Sequence, residues 1–458
     1  MALIKSISGI RGTIGGKAGE SLTPIDVTKF VAAFGHWAKA GQKNPLIVIG
    51  RDARPSGDMI ATITKCTLAS LGINVLDLGL STTPTVGIAV AMEEASGGII
   101  ISASHNPSGW NALKLLNKNG EFISQEEANK VLAFAENGDI VFEASRRFGS
   151  ITENDDYIRR HIGKILKLPY LDLEAIKKRK FKVIVDTINS SGAIAVPQLL
   201  DALCVQYTCL NSEPDGQFAH NPEPLPENIT QICQELESGS YDLGIVVDPD
   251  VDRLALVRED GIPFGEEYSL VAVSDFILSQ RKGHTVSNIS STRALRDITE
   301  KHGGTYHFAK VGEVNVVKKM KEVKAIIGGE GNGGIILPEL HYGRDALVGI
   351  ALFLTFLANS QKPASKIRSS YPDYFISKNK LELTADIDVN GILKALKEKY
   401  NKYPINDLDG VRIEFGRDWV QLRKSNTESI VRIYAESESK TTANHLAKKI
   451  IEDLKEFI

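Results

Sequence analysis

Tyr241-Asp-Leu-Gly-Ile-Val-Val-Asp248-Pro-Asp250-Val-Asp252-Arg253 is the stretch on which the reading of this chain turns. Leu243 to Val247 is a short β-rich apolar run that stops abruptly on a polar turn. A run of that length, bounded by turn residues, reads as a buried strand of an α/β layer. The pattern recurs in Pro45-Leu-Ile-Val-Ile-Gly50-Arg-Asp-Ala-Arg54 before an amphipathic stretch from Ser56, and in Lys182-Val-Ile-Val-Asp186 before Ser190-Ser-Gly192. These are repeated α/β units rather than a short-period solenoid.

The chain has 458 residues, 42% of them hydrophobic and 24% charged. At roughly 100–200 residues per domain that length predicts three or four domains, with an active site expected in the cleft between them. Polar breaks at Phe148–Asp156, Asp248–Glu259 and Ser365–Asp373 divide it into 1–150, 151–256, 257–370 and 371–458. The last segment alternates strand-like runs (Leu381 to Ala385, Val411 to Phe415, Trp419 to Arg423, Ile430 to Tyr434) with a Lys-rich helix and a C-terminal helix, which predicts an α+β domain with an antiparallel sheet.

A net charge of −3 provides no global cationic field for nucleic acid or anionic membrane, so an anionic ligand must be captured by local groups. The apolar run Leu347 to Ala358 falls well short of the ~20 residues a membrane span needs and reads as a buried helix. The opening MALIKSISGIRG lacks the apolar core of a secretory signal. Cys66, Cys204, Cys209 and Cys233 show no metal-ligand spacing and are expected to be buried small hydrophobes in a cytoplasmic protein.

Four loops carry chemistry. In Gly97-Gly-Ile-Ile-Ile-Ser-Ala-Ser104-His105-Asn106-Pro107 a buried strand ends just before Ser104, where open α/β sheets place ligands. Locally, a Ser-Asn-Pro turn explains it equally well. His105 is a poor base for Ser104, because neighbours on an extended chain point apart. Asp248, Asp250 and Asp252 alternate along a turn and can converge on one hard cation; oxygen-only ligands favour magnesium over zinc. Arg253 follows directly, a cation for a bound phosphoryl group.

The glycine-rich run Gly328-Gly-Glu330-Gly-Asn332-Gly-Gly334 offers a carboxylate and an amide for vicinal hydroxyls, though a hairpin turn accounts for it as well. Arg423-Lys-Ser425-Asn426-Thr427, with Arg432 beyond, groups a guanidinium fork, hydroxyls and an amide suited to phosphate, or else forms an exposed polar loop. Arg11 and Lys114 are lone cations that local sequence does not distinguish from surface residues.

In this order and spacing, S-G-I-R-G, S-A-S-H-N-P, D-P-D-V-D-R, G-E-G-N-G and R-K-S-N-T-E resemble the α-D-phosphohexomutase superfamily across essentially the whole chain. Pro214-Asp-Gly-Gln-Phe218, Asn221-Pro-Glu-Pro224 and Lys310-Val-Gly312 add to the resemblance. It implies four domains around a central cleft, three related mixed α/β sandwich units and a smaller α+β C-terminal domain. It also implies that Ser104 is phosphorylated and that Asp248, Asp250 and Asp252 hold Mg2+ together with a phosphoseryl oxygen. Arg253 then steadies the phosphoryl group, and Arg11 and Lys114 assist at the reacting hydroxyl. Lys114 is the expected general base, with a pKa depressed by Arg11 and burial. Glu330, Asn332 and Lys310 fall to the sugar, and Arg423, Ser425, Asn426, Thr427 and Arg432 to the distant phosphate, with a hexose 1,6-bisphosphate as intermediate and activator.

Many members have serine at the position of Asn332, histidine at that of Gly334, and some have histidine after the Val-Gly that here precedes Glu313. The S-G-I-R-G opening and G-E-G-N-G-G resemble sequences grouped with phosphoglucosamine mutases, and that resemblance implies a glucosamine phosphate, with broad phosphoglucomutase/phosphomannomutase activity as the alternative. Two further readings are a magnesium-dependent phosphatase using an aspartate nucleophile and a silent sugar-phosphate-binding protein. A serine hydrolase comes last, since no G-x-S-x-G surrounds Ser104.

Overall fold

The computed structural model describes residues 2–7, 9–382, 388–424 and 430–456. Its first three sheets repeat one plan. In the second, strands run in the order Leu254–Arg258, Leu243–Val247, Lys182–Asp186, Gln206–Leu210, three parallel and one antiparallel at the edge. The third has the same order, with Gly334–Ile336, Ile327–Glu330, His284–Asn288 and Thr305–Ala309. The first contains it too, as Trp110–Leu116, Gly97–Ile101, Leu46–Arg51 and Asn74–Leu80. Leu3–Ser6 and Gly9–Thr13 extend that sheet at one edge and Ile151–Glu153 at the other.

This topology positions the site. In every unit the third parallel strand turns back into the antiparallel edge strand, and the loop of that hairpin carries a candidate motif: Ser104 in the first, the aspartates in the second, Gly331 to Gly333 in the third. Three equivalent loops thus lie at the carboxyl ends of three related sheets, where α/β proteins bind ligands. The first sheet runs on to Glu153, because Ile151–Glu153 covers the edge strand Asn74–Leu80, and the second runs to Arg258, where its antiparallel edge strand ends.

The second and third units share one hydrophobic core reaching from Ile158 to Tyr374. At its centre lies helix Ala346–Ser360, buried on nearly all sides, as a helix apolar around its whole circumference must be. The first and fourth units keep cores of their own. No helix among the described residues is long and apolar enough to cross a membrane.

The fourth unit is a five-stranded antiparallel sheet backed by helices Val389–Lys399 and Lys440–Lys455. Its first strand runs over Phe375–Glu382, starting six residues before the expected Leu381. Polar Ser377 to Lys380 hide it in the sequence, yet eight residues pair with Ile430–Ser437. Leu383 to Ala385 lie outside the described residues. The cysteine expectation is corrected: Cys66 and Cys204 are exposed and only Cys209 and Cys233 are half-buried, because helix Gly57–Ser70 turns Cys66 to solvent and Cys204 sits in the turn after a helix.

Candidate active site

Ser104 follows the strand Gly97–Ile101 in the left-handed backbone region (φ 49°), which a non-glycine residue occupies only when its surroundings hold it there. Those surroundings are explicit. Ser102 Oγ accepts the Ser104 N–H at 2.9 Å and donates to Asp52 Oδ2 at 2.7 Å. Asp52 in turn accepts from Arg54 Nε at 3.0 Å. The fully buried Arg54 guanidinium donates to the carbonyls of Ser104 (2.5 Å), Asn106 (2.6 Å), Pro107 (2.5 Å) and Trp110 (2.9 Å), tying both ends of the loop to one group. Arg54 stood in the sequence only as part of a strand-ending turn; its role needs the fold.

Removing that guanidinium strands the buried Asp52 charge and four carbonyls. Arg54→Met is expected to cost about 3–5 kcal/mol, the usual penalty for breaking a buried ion pair. A fall of at least about 6 °C in the unfolding midpoint checks this; no fall would contradict it.

The aspartate loop is equally constrained. Val251, β-branched and buried, has φ 60°, and this kink turns three alternating carboxylates to one point. One oxygen of each lies within 4.8 Å of the others. Asp248 Oδ1 accepts the N–H groups of Asp252 (3.0 Å) and Arg253 (3.1 Å), and Asp248 Oδ2 accepts the hydroxyl of Ser104 at 2.6 Å. Asp250 accepts from Thr83 and Lys114 of the first unit. Asp250 Oδ1 and Asp252 Oδ1 are buried and accept no hydrogen bond among the described residues. Burial, then Asp252 and Asp250, pushes the Asp248 carboxyl well above its ordinary range; at Asp250 burial acts the same way, but Lys114 together with the Thr83 hydrogen bond brings the carboxyl below its range. Clustered buried carboxylates with orphaned oxygens fit a hard divalent cation.

The third unit clamps this loop. Leu254 N–H donates to the Gly333 carbonyl at 3.0 Å, and Gly333 (φ 85°) must lack a side chain, because a Cβ would stand 2.4 Å from the Leu254 carbonyl oxygen. Arg344, buried and not singled out by the sequence, holds Asp252 Oδ2 at 2.7 Å, Glu313 Oε2 at 2.9 Å and Glu330 Oε2 at 3.1 Å. Those three carboxylates raise its pKa well above the usual value against the opposing effect of burial. Burial lifts the Glu313 carboxyl to about 7 although Arg344 opposes it. The only sequence signal for Arg344 was a polar run, His341-Tyr-Gly-Arg344-Asp345, set before a buried helix.

A cavity of about 340 Å3 joins these parts. Of the residues chosen from sequence, Arg11, Ser104, Lys114, Arg253, Glu330, Asn332, Arg423 and Arg432 line it. Arg11 donates to Asn106 Oδ1 at 2.7 Å, and Arg253 reaches Glu223 at 3.3 Å. Arg423 and Arg432 face each other across adjacent strands of the fourth unit. Like charges in that register repel, an arrangement suited to sharing an anion. Lys310 does not join them: it is exposed, and its neighbours Val311 and Gly312 form the wall instead. Ser425, Asn426 and Thr427 lie outside the described residues, as does Ser8 of the N-terminal motif.

Two expectations are corrected. His105 Nδ1 lies 3.4 Å from Ser104 Oγ, because the left-handed turn at Ser104 removes the alternation of an extended chain. Burial and then Arg253 hold its pKa down, at about 2. Lys114, expected to have a depressed pKa, is shifted upward: burial pulls it down, but Asp250 and Asp252 together outweigh burial. Asp250 is in direct contact with it, which the sequence did not reveal.

Comparison with known proteins accords with this arrangement. The chain matches the phosphoglucomutase/phosphomannomutase family in all four parts: alpha/beta/alpha domain I over residues 3–141, domain II over 156–261, domain III over 265–374, and the C-terminal domain over 382–453. It belongs to the α-D-phosphohexomutase superfamily, and is therefore an isomerase acting by intramolecular phosphoryl transfer. A phosphoglucomutase/phosphomannomutase of Thermococcus kodakarensis is 34% identical, over 96% of this chain and 98% of its own. A phosphoglucosamine/phosphogalactosamine mutase of Sulfurisphaera tokodaii is 32% identical, over 99% of this chain and 100% of its own. The crystal structure of a phosphoglucomutase/phosphomannomutase family protein from Burkholderia thailandensis shares the fold, with a TM-score of 0.85 at 24% identity over 99% of this chain and 98% of that one.

Proposed function

We propose that the chain interconverts hexose 6-phosphate and hexose 1-phosphate through a phosphoryl group carried on Ser104, with Mg2+ at Asp248, Asp250 and Asp252 and a hexose 1,6-bisphosphate as intermediate. The contact between Ser104 Oγ and Asp248 Oδ2, at 2.6 Å, carries this reading: it sets the Ser104 hydroxyl of the first hairpin loop against the carboxylates of the second. When bound there, the cation supplies charge neutralisation and Lewis acidity to a phosphoseryl oxygen.

The chain's own residues account for the rest. Arg11, Lys114 and Arg253 surround Ser104 with positive charge in the same cavity. In the first half-reaction the bond from phosphorus to Ser104 Oγ breaks as a sugar hydroxyl oxygen bonds to phosphorus, and the hydroxyl proton is regained, overall, at Ser104 Oγ. A loose transition state places little demand on a base, so a charged Lys114 contributes first by neutralising charge and orienting the hydroxyl. Arg423 and Arg432, with Ser425, Asn426 and Thr427, hold the phosphate that is not reacting. Glu330 and Asn332 hold ring hydroxyls. The intermediate then turns end over end, and its other phosphate returns to Ser104.

Glucosamine phosphate is the favoured sugar, supported by the phosphoglucosamine mutases among the relatives. The Thermococcus relative supports broad glucose and mannose phosphate activity as the second reading. A cytoplasmic enzyme with a small sugar phosphate as partner completes the proposal. It is tested by the mass of the intact protein before and after turnover, which reports directly on a phosphoryl group at Ser104.

A further inference from the structure

The kink at Val251 that brings the three aspartates together is gripped from two sides. From the first unit, at the start of helix Thr83–Met92, Thr83 N–H donates to the Asp250 carbonyl at 2.9 Å and the Thr83 hydroxyl donates to the Asp250 carboxylate. From the third unit, at the start of helix Ala346–Ser360, Ala346 N–H donates to the Val251 carbonyl at 3.1 Å and Arg344 donates to Asp252 Oδ2 at 2.7 Å. A β-branched residue keeps a left-handed backbone only while its surroundings impose it. The aim of the carboxylates therefore depends on how the two grips are set against each other.

His161, in helix Tyr157–Ile165 of the second unit, joins the two grips from behind. It is fully buried, as are Thr82, Thr85 and Asp345. Thr82 Oγ1 donates to Thr85 Oγ1 at 2.7 Å, which leaves the Thr85 hydroxyl proton for His161 Nδ1 at 3.0 Å. His161 Nε2–H is then the donor to Asp345 Oδ2, at 2.9 Å. Both ends of this chain are helix caps. Thr82 Oγ1 accepts Thr85 N–H at 3.1 Å, and Asp345 Oδ1 accepts the N–H groups of Leu347 (2.9 Å) and Val348 (3.2 Å). One imidazole thus connects the cap of the helix that grips Asp250 to the cap of the helix that grips Val251. His341 Nε2 also lies 3.2 Å from Asp345 Oδ2, but it belongs to the third unit itself, so that bond does not reach the first.

We propose that His161 is a positioning residue for the metal loop: by bridging Thr85 and Asp345 it sets the grips of the first and third units in register, and so raises the affinity of Asp248, Asp250 and Asp252 for Mg2+. The inference rests on the metal assignment above and extends it to a side chain that does not line the cavity. Among the described residues His161 makes no hydrogen bond to the three aspartates, so its influence passes through Thr85 and Asp345. Groups that orient metal ligands from behind are commonly worth about 10–100-fold in metal affinity.

Calorimetric titration of Mg2+ into the full chain carrying His161→Phe, Thr85→Val or both tests this. Each single variant is expected to weaken Mg2+ binding about tenfold, with the number of sites per chain unchanged. The double variant is expected to bind no more weakly than the weaker single one, because both changes break the same bridge. In turnover, raising Mg2+ should restore kcat in all three, with the KM for hexose phosphate within about twofold of the wild type. A residue that merely fills the core behaves differently: His161→Phe would then lower the melting temperature and the number of sites titrated while leaving the affinity of the remaining sites unmoved, and that result overturns the proposal. A double variant whose loss is the product of the two single losses overturns it as well. If His161→Phe does not fold, Thr85→Val decides alone, since it exchanges only a hydroxyl for a methyl at the other end of the bridge, and unchanged Mg2+ affinity there overturns the proposal. A wild type that binds no Mg2+ refutes the metal assignment and the role of His161 with it, whereas unmoved variants beside a wild type that binds refute His161 alone.

Discussion

Ser104→Ala is expected to abolish interconversion, lowering kcat by about 10^4 or more, while leaving the protein folded. The hydroxyl is the proposed phosphoryl acceptor, so no other group in the cavity stands in for it, and losing a nucleophile costs an enzyme rate factors of that order. The backbone of the loop does not depend on the hydroxyl: Ser102, Asp52 and Arg54 hold it through main-chain atoms of residues 104 to 110. Activity and melting temperature should therefore separate, one vanishing and the other nearly unchanged. A variant that retained even a hundredth of the wild-type rate would show that the phosphoryl group travels by another route.

Chelation is expected to have the second-largest effect, a loss of about 10^3 in turnover with EDTA that Mg2+ reverses. Asp248, Asp250 and Asp252 are fully buried, and among the described residues Asp250 Oδ1 and Asp252 Oδ1 accept no hydrogen bond, so beyond the pairing with Lys114 and Arg344 the loop keeps carboxylate oxygens that a cation would satisfy. Asp248→Asn should make the loss permanent at ordinary Mg2+ concentrations. It removes one negative charge from the ligand set, and the oxygen that receives Ser104 loses its charge. Calorimetric titration of Mg2+ or Mn2+ checks the ligand assignment independently of activity. Undiminished metal affinity in Asp248→Asn would contradict it.

The sequence made the α/β layering, the buried helix at Leu347 to Ala358 and the Ser104 and aspartate loops legible, because each is local: a short apolar run, its turn, and the polar groups on that turn. The strand at Phe375–Glu382 was less so, since Ser377, Lys378, Asn379 and Lys380 give no apolar stripe and the strand exists through its partner Ile430–Ser437. Arg54 and Arg344 were illegible as site residues for a related reason. Each acts on groups distant in the chain, Arg54 on carbonyls near residue 105 and Arg344 on Asp252, and the turn around the first and the polar run around the second do not name those partners. His105 and Lys114 show the limit from the other side. Their residue types suggested acid–base chemistry, but their titration is set by burial and then by charges from another unit of the fold, Arg253 at His105 and Asp250 at Lys114.

The equivalence of the three hairpin loops explains how chemistry spread along the chain from Ser104 to Glu330 converges on one cavity. Ser104, the aspartates and Glu330 occupy the same place in three copies of one topology, and packing those copies brings the places together. The close contacts Thr83–Asp250, Leu254–Gly333 and Arg344–Asp252 are what hold them there.

The central claim, that Ser104 is a reusable phosphoryl carrier, is tested most directly by loading it with labelled phosphate and following the label after unlabelled hexose phosphate is added with Mg2+. The label should leave the protein for the sugar pool, with the intact mass of the protein still showing one phosphoryl group and with little inorganic phosphate formed. Label that stays on Ser104 through many turnovers, or that appears as inorganic phosphate, would contradict the account.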